Sequence, residues 1–423
     1  MSNTATGGVM RTIGRSAVHG AILALTISGL GVATSSVASA EPCGGRMGPG
    51  SSMFGSSGGG GTNPRGPQGP LAPIRSSNTQ SVGWVTGPAS ANSTYDRFGI
   101  SGTDLGIAWD NGAGQVLYAF GDTFGNCSVS GGQWRNNVLL RSGDTALGDG
   151  ISIPDAAPGN TASGSVVTAD APRFARQIVP TLGLPEIEAT TIPTAAIAID
   201  GVQYLNYMSV QSWGAPGRWV TNFSAIATSR DNGQTWTTDP LTIRVNKGVT
   251  IPGVAQVNEA NGRFQMNAYA KGNDGWLYQF GTPNGRYGAA FLARVRPAGI
   301  LDLTKYEYST GKPEAPWSPR VEDSIKVVRE PVSEMSVAWN EYLQKYVMLY
   351  GDETQGSIVA RTATEPQGPW SAPRTLLGRA ETIGGVYAPY IHPSSSGRDL
   401  YFTASRWSDY NVMLLRTNLD ALR

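Results

Sequence analysis

The chain has 423 residues, a formal net charge of +1 and 15% charged side chains, so its charge gives no reason to expect nucleic acid or an anionic lipid surface as a partner. Its 55 glycines and 27 prolines favour turns over long helices. Two histidines in the whole sequence exclude a histidine-rich zinc site, and we expect no metal or other cofactor. The composition predicts a β-rich protein with a sizeable core.

The first 40 residues have the pattern of a secretory signal peptide. Two arginines precede a short apolar stretch at 17–32, and Ala38 and Ala40 form an A-x-A cleavage site. No later segment approaches the roughly 18 uninterrupted apolar residues that a membrane-spanning helix needs. We therefore expect a secreted or cell-envelope protein without an integral membrane segment after signal removal, with a retained leader as the alternative.

Residues 41–78 are rich in Gly, Ser and Pro and lack apolar periodicity, which predicts a flexible tether before a domain at 79–423. Cys43 in this tether and Cys127 are the two cysteines of the chain. Export to an oxidising compartment permits a disulfide between them, and two unpaired thiols are the alternative.

The domain consists of short β-type runs separated by Gly, Asn, Asp and Pro turn signals. Five runs look like the first strands of equivalent sheets, and each precedes a turn and an aromatic-rich second strand. The five first strands are 102–109, 192–199, 264–270, 334–339 and 386–392. This pattern predicts an all-β, five-bladed β-propeller, with a β-sandwich as the alternative.

Residues 229–236 fit the S/T-x-D-x-G-x-x-W "Asp box" hairpin that is common in sialidase-like propellers. In such a turn Ser229 and Asp231 hydrogen-bond the backbone, Gly233 takes a positive φ, and Trp236 packs on the blade. We interpret this turn as structural. It supports the fold and does not indicate a substrate.

The segment 102–125 has the pattern of a hairpin, with a turn signal at 110–112. Folding it about Ala113 places Asp104 and Asp122 opposite one another on one face. Directly opposed Cβ atoms lie roughly 4.5–5.5 Å apart, so the two carboxyl groups would perturb each other's pKa. Such a pair suits glycoside hydrolysis, which needs one protonated and one ionised carboxyl group. The alternative is that both aspartates only satisfy turns or cap strands.

Other residues are candidates for substrate contacts. Sugars stack on exposed aromatic rings, while amides and carboxylates bind their hydroxyl groups. His392 is the one histidine beyond the leader, so a Ser-His-Asp triad would depend on it, and we interpret it as a packed or substrate-contacting residue. The substrate-binding candidates are Glu188, Trp213, Gln265, Asn267, His392 and Trp407.

Several motifs resemble one known family over roughly residues 84–422. They are Gly-Thr-Asp-Leu-Gly at 102–106, Phe-Gly-Asp-Thr-Phe-Gly at 120–125, Thr-Ile-Pro-Thr-Ala at 191–195, Phe-Gly-Thr-Pro-Asn-Gly-Arg at 280–286, Ser-Val-Ala-Trp-Asn at 336–340 and Gly-Pro-Trp-Ser at 368–371. Together they resemble the domain of unknown function 4185 family, part of which is classified as glycoside hydrolase family 183, the endo-D-arabinanases.

This resemblance implies a five-bladed propeller that cuts internal α-D-arabinofuranosyl linkages in the D-arabinan of arabinogalactan and lipoarabinomannan in actinobacterial cell walls. It also implies that Asp104 and Asp122 are the catalytic pair. Our hypothesis makes Asp122 the acid and Asp104 the base, with the reverse assignment open. Because propeller furanosidases usually invert, we expect inversion. We expect a monomer whose partner is this polysaccharide.

Two other functions are alternatives to this hydrolase. The first is a non-catalytic propeller that binds the cell-wall polysaccharide. The second is a sialidase-like hydrolase, suggested by the Asp box, which would need an arginine triad and a tyrosine nucleophile. The first arginine of such a triad stands in an Arg-Ile-Pro segment, and the sequence contains no such segment.

Overall fold

The computed structural model describes Cys43, residues 63–251, Val254 and residues 258–423. The predicted leader at 1–40 and the predicted tether up to residue 62, apart from Cys43, lie outside the described residues. Within the described ranges, no helix has the length and apolar character required to cross a membrane.

The described strands form five antiparallel sheets, and the first described strand, β1 (Thr79–Trp84), joins the last of them. Blade 1 contains β2 (Leu105–Asp110), β3 (Val116–Phe120) and β4 (Val138–Ser142). Blade 2 contains β5 (Thr190–Ile199), β6 (Val202–Trp213), β7 (Trp219–Ser229) and β8 (Thr237–Val245). Blade 3 contains β9 (Met266–Lys271), β10 (Leu277–Thr282), β11 (Gly288–Val295), β12 (Glu307–Ser309), β13 (Trp317–Ser318) and β14 (Lys326–Val332). Blade 4 contains β15 (Met335–Asn340), β16 (Lys345–Asp352), β17 (Ser357–Ala363) and β18 (Arg374–Leu377). Blade 5 contains β19 (Val386–Ile391), β20 (Asp399–Arg406), β21 (Asn411–Asn418) and β1.

Helical structure is confined to short pieces in the described part of the chain. The α-helix α1 (Thr94–Phe98) ends at Gly99, whose φ of 60° allows its N–H to bond back to the last turn. The 3₁₀ turns are Ser130–Gln133, Leu147–Asp149, Glu259–Phe264, Pro297–Gly299, Leu303–Lys305, Val321–Asp323 and Leu419–Leu422.

The first strands of the five blades surround one axis. β2 contacts β5, β5 contacts β9, β9 contacts β15, β15 contacts β19, and β19 contacts β2, which closes the ring. β1 pairs with β21, so the two ends of the domain complete one blade together. The prediction of an all-β five-bladed propeller is confirmed, and the β-sandwich alternative is wrong.

The core lies between the faces of neighbouring blades. Every residue of β3 is buried, with Leu117, Tyr118 and Phe120 at 0% exposure, because blade 1 is covered on both faces. Burying one such side chain contributes about 1.5–3 kcal/mol. β3 is accordingly a continuous apolar run, Val-Leu-Tyr-Ala-Phe, instead of an alternating one.

Residues 63–78 of the predicted tether lie against the propeller. The carboxylate of Asp96 is 2.8 Å from the Arg65 guanidinium, Ile74 is 5% exposed, and the Ser76 hydroxyl donates to the Leu376 carbonyl at 2.8 Å. The packed chain thus includes Asn63 onward, earlier than the predicted boundary at residue 79. Hydrogen bonds, an ion pair and the isolated buried side chain of Ile74 hold this segment, and such contacts leave no apolar periodicity in the sequence.

The turn at 229–236 connects β7 to β8. The Ser229 hydroxyl accepts from the Gly233 N–H at 2.8 Å, and Asp231 Oδ1 accepts from the Thr235 N–H at 2.9 Å. Gly233 has a φ of +81°, and the Trp236 indole donates to its carbonyl at 3.1 Å. These are the bonds of a structural hairpin, as the sequence predicts.

Candidate functional site

A cleft of about 480 Å³ opens at the end of the propeller where the first strands begin. Both predicted catalytic aspartates line it, together with two aromatic candidates and a buried ion pair that the sequence analysis did not propose. Its charged and aromatic lining residues are Asp104, Asp122, Phe124, Trp134, Trp213, Arg218, Trp219, Arg286, Glu334, Trp407 and Tyr410.

Asp104 precedes β2 at a β-bulge. Leu105 and Gly106 both have positive φ, 71° and 79°, and the pairing register with β3 shifts between Leu105 and Ile107. For leucine this conformation is unfavourable by roughly 1–3 kcal/mol, and neighbouring blade 5 compensates for it. There the Ser405 hydroxyl accepts from the Leu105 N–H at 2.8 Å, and the Thr403 hydroxyl donates to the Gly106 carbonyl at 2.7 Å.

The bulge corrects the predicted hairpin register. From residue 107 to 110 the paired positions follow the predicted symmetry, but beyond the bulge Leu105 pairs with Phe120. The Asp104 carbonyl consequently accepts from the Gly121 N–H at 3.2 Å, so Asp104 faces Gly121 and not Asp122. A Cβ atom on Gly121 would lie 2.4 Å from Asp104 Oδ1, so a glycine is required beneath this carboxyl group. The prediction of direct opposition is wrong by one residue, although both aspartates reach the same cleft.

The Asp104 carboxyl group is set up to hold a proton. Its Oδ1 atom is fully buried without a hydrogen-bond donor in good geometry among the described residues, and Tyr410, like Tyr387, is a tyrosine that interacts with this carboxyl group. Burial raises the pKa of Asp104 from 3.8 to about 8; the charge of Asp122 adds to this, and the Tyr387 hydrogen bond opposes it. Glu334 raises the same pKa and Arg286 lowers it, each with a smaller effect. Asp104 is therefore protonated at neutral pH.

Asp122 follows β3 and receives two side-chain donors on one oxygen. The Thr190 hydroxyl donates to Asp122 Oδ1 at 2.7 Å, and the Trp134 indole N–H donates to the same atom at 3.0 Å. Donors directed at a carboxylate oxygen stabilise its ionised form. The two aspartates therefore have different surroundings, with Oδ1 of Asp104 fully buried and Oδ1 of Asp122 bound by two donors.

A buried ion pair lies beside Asp104. Arg286 and Glu334 are each 8% exposed, and the guanidinium donates from Nη2 at 2.6 Å and from Nε at 3.0 Å to the carboxylate. Burial opposes the ionisation of Glu334, but the charge and hydrogen bonds of Arg286 outweigh it and hold the pKa of Glu334 below its ordinary value. The cleft thus contains a fixed, bidentate ion pair, and Glu353 lies 3.9 Å from the same guanidinium.

An aromatic stack connects this pair to Asp104. The rings of Tyr387 and Trp407 stack with centroids 3.7 Å apart, and the Arg286 guanidinium carbon lies 5.1 Å and 4.7 Å from their respective centroids. The Tyr387 hydroxyl donates to Asp104 Oδ2 at 3.0 Å. Cation–π contact and stacking therefore hold the donor that orients the Asp104 carboxyl group.

The remaining sequence candidates divide into two groups. Trp213 and Trp407 line the cleft, whereas Glu188, Gln265 and His392 lie inside the blades at 7%, 0% and 0% exposure. Glu188 and Gln265 are therefore packed residues instead of cleft residues, and for His392 the packed alternative agrees with its burial. Asn267, 2% exposed, lines a small cavity next to the cleft, among residues of the first strands, and does not line the cleft itself.

Internal partners explain why these polar residues are buried. The Glu188 carboxylate accepts from the Leu182 N–H at 2.7 Å and from the Ser209 hydroxyl at 2.5 Å. Gln265 accepts from the Thr221 hydroxyl at 2.7 Å. His392 Nε2 is 2.7 Å from the Tyr118 hydroxyl, and burial lowers the pKa of His392 to about 4. His392 is therefore neutral at physiological pH.

Sequence reasoning missed Trp134, Arg286, Glu334 and Tyr387 as site residues. Weak signals existed for three of them, since Glu334 and Tyr387 stand at the start of predicted first strands and Arg286 ends a quoted family motif. Nothing in the sequence around Trp134 indicated its contact with Asp122. Among the described side chains, no group of three or more His, Cys, Asp or Glu residues could hold a metal ion.

Comparisons with known proteins agree with this architecture. The family model for the Domain of unknown function (DUF4185) matches residues 89–416. Notoamide biosynthesis cluster protein J of Aspergillus sp. (strain MF297-2) is 28% identical over 331 residues, covering 74% of this chain and 81% of that protein. A provisionally assigned hydrolase from Bacteroides ovatus ATCC 8483 superposes with a TM-score of 0.50 at 16% identity, covering 77% of this chain and 88% of that chain. A native arabinanase of Bacillus subtilis gives a TM-score of 0.40 at 10% identity over 75% of this chain and 95% of that chain. The match over most of the domain shows that this chain belongs to the DUF4185 family.

Proposed function

We propose that this protein is a glycoside hydrolase in which Asp104 is the general acid and Asp122 activates water. The observation that carries the proposal is the contrast between two carboxyl groups in one cleft. Burial and the charge of Asp122 raise the pKa of Asp104 to about 8, while Asp122 Oδ1 accepts two hydrogen bonds. A protonated and an ionised carboxyl group in one site are what glycoside hydrolysis requires.

This assignment reverses the roles favoured from the sequence. Asp104 donates its proton to the glycosidic oxygen as the C–O bond breaks, and Asp122 removes a proton from the water that attacks the anomeric carbon. The product is a free reducing sugar with inverted configuration, and Asp104 regains its proton from solvent. Proton NMR of the first product anomer tests inversion, because a covalent intermediate on Asp122 would give retention.

For the substrate, we propose internal α-D-arabinofuranosyl linkages of cell-wall D-arabinan. The motif resemblance to the endo-D-arabinanases supports this class, and the exposed aromatic rings of the cleft suit stacking on sugars. The disulfide between Cys43 and Cys127 supports export, since such bonds persist mainly in oxidising compartments.

The test is digestion of purified D-arabinan with measurement of released oligosaccharides. We expect release by the wild-type protein and by Asp200→Asn, an exposed turn residue, and none by Asp104→Asn or Asp122→Asn. Binding to D-arabinan without release would favour the polysaccharide-binding alternative. Cleavage of a sialoside but not of arabinan would favour the sialidase-like alternative.

A further inference from the structure

One wall of the cleft consists of the loop at 127–134 and of Cys43, which a disulfide joins to it. Cys43, Cys127, Val129, Gly132 and Trp134 all line the cleft. Cys43 and Cys127 are joined in a disulfide, with Cα atoms 4.5 Å apart. The bond therefore forms part of the surface that a substrate meets, and it fixes Cys43 to the loop that contains Cys127.

Gly132 contacts both the disulfide and the rest of the loop. Its carbonyl accepts from the N–H groups of Gly125 at 2.8 Å and Asn126 at 3.2 Å. A Cβ atom at Gly132 would lie 3.2 Å from Cys43 Sγ and 2.9 Å from the Phe124 ring, so the loop backbone packs directly on the disulfide. With a φ of 60°, Gly132 turns the chain toward Trp134.

Trp134 contacts Asp122 at one edge and the open cleft with the rest of its surface. It is 41% exposed, which is unusual for a tryptophan, and its Nε1–H donates to Asp122 Oδ1 at 3.0 Å. Val129 in the same loop is 44% exposed. Exposed apolar side chains that line a cleft mark a ligand-contact surface.

We propose that Trp134 positions Asp122 and also forms the platform for a sugar ring bound beside it, and that the Cys43–Cys127 disulfide holds this wall in place. The proposal rests on the proposed function and extends it to a named subsite. A sugar ring stacked on the indole lies against the group that holds the catalytic carboxylate. Correct filling of the subsite is thereby coupled to the orientation of Asp122.

Two substitutions separate the two roles of Trp134. Trp134→Phe keeps an aromatic surface and removes the N–H, so we expect kcat to fall about tenfold, the cost of a hydrogen bond to a charged group, with KM nearly unchanged. Trp134→Ala removes both, so KM also rises. The control Trp276→Phe, which packs between Arg294 and Arg296 outside the cleft, changes neither. A Trp134→Phe enzyme with wild-type kcat overturns the positioning role, and a Trp134→Ala enzyme with wild-type KM overturns the platform.

Reduction tests the disulfide. We expect a folded, reduced protein to lose kcat several-fold, and Cys43→Ala and Cys127→Ser to behave like the reduced wild type. Circular dichroism at the assay temperature identifies any variant that has unfolded. Unchanged kcat and KM in a folded, fully reduced protein, with free thiols counted by mass spectrometry, overturn this part of the proposal.

A measurement without substrate keeps this proposal separate from the proposed function. The indole Nε1–H resonance of Trp134, identified by its absence in Trp134→Phe, should shift in Asp122→Asn and on reduction, and stay in place in Asp200→Asn. If D-arabinan is not cleaved but these shifts occur, the contact of Trp134 with Asp122 and its dependence on the disulfide stand, and the hydrolase assignment fails. If cleavage occurs and the resonance does not move, the hydrolase stands and the positioning role of Trp134 fails.

Discussion

The Tyr387 hydroxyl donates a hydrogen bond to Asp104 Oδ2 at 3.0 Å across 283 positions of sequence, joining the first and last blades at the site. This bond lowers the pKa of Asp104, while burial and Asp122 raise it. In Tyr387→Phe we therefore expect a higher pKa for Asp104, so the alkaline limb of the kcat/KM profile moves upward from about pH 8. A limb that stays in place or moves downward would contradict the role given to Tyr387.

Glu334→Gln should move the same limb in the opposite direction. Glu334 raises the pKa of Asp104 and Arg286 lowers it, so removing the Glu334 charge leaves the guanidinium with Glu353, 3.9 Å away, as its remaining carboxylate partner. The ionised form of Asp104 is then stabilised, and activity declines at lower pH than in the wild type. Breaking a buried pair costs about 3–5 kcal/mol, so thermal denaturation must first show that the variant is folded. If both variants shift the limb in one direction, the electrostatic account of Asp104 is wrong.

The pKa of Asp104 also predicts a conflict between stability and function. Since its folded-state pKa is raised, the folded protein binds more protons than the unfolded chain between pH 3.8 and about 8. The stability contributed by this group is fully present below pH 3.8 and is lost progressively as the pH rises to about 8. Asp104→Asn removes this pH dependence and should be more stable than the wild type at neutral pH.

The measurement is urea denaturation of both proteins at intervals from pH 4 to about pH 8. The free energy of unfolding of Asp104→Asn should exceed that of the wild type by a margin that grows with pH, by up to about 1.4 kcal/mol for each pH unit. Asp200→Asn serves as the control for loss of a surface carboxylate. A constant margin across this range would mean that Asp104 titrates near its ordinary value.

Local sequence patterns predicted the blades because each first strand, turn and second strand is complete within a short segment. The same reasoning placed Asp104 and Asp122 in one hairpin, but it could not predict the bulge, since Leu105 carries no signal for a positive φ and Ser405 of another blade stabilises it. His392 is polar in sequence and buried in the fold because Tyr118 is its partner. Contacts between blades therefore decided the details that the sequence did not reveal.

Gly121 provides the most direct test of the cleft geometry. In Gly121→Ala the new Cβ would lie 2.4 Å from Asp104 Oδ1, so the carboxyl group must move away from its position and from the Tyr387 hydroxyl. A displacement of about 1 Å at a catalytic group lowers rates on the order of a hundredfold, which is the loss of kcat we expect. The control is Gly143→Ala, where the nearest atom to the new Cβ is 3.9 Å away. Activity of Gly121→Ala equal to that of Gly143→Ala would show that the Asp104 carboxyl group does not need the position described above, and Asp104 would then lose its role as the acid.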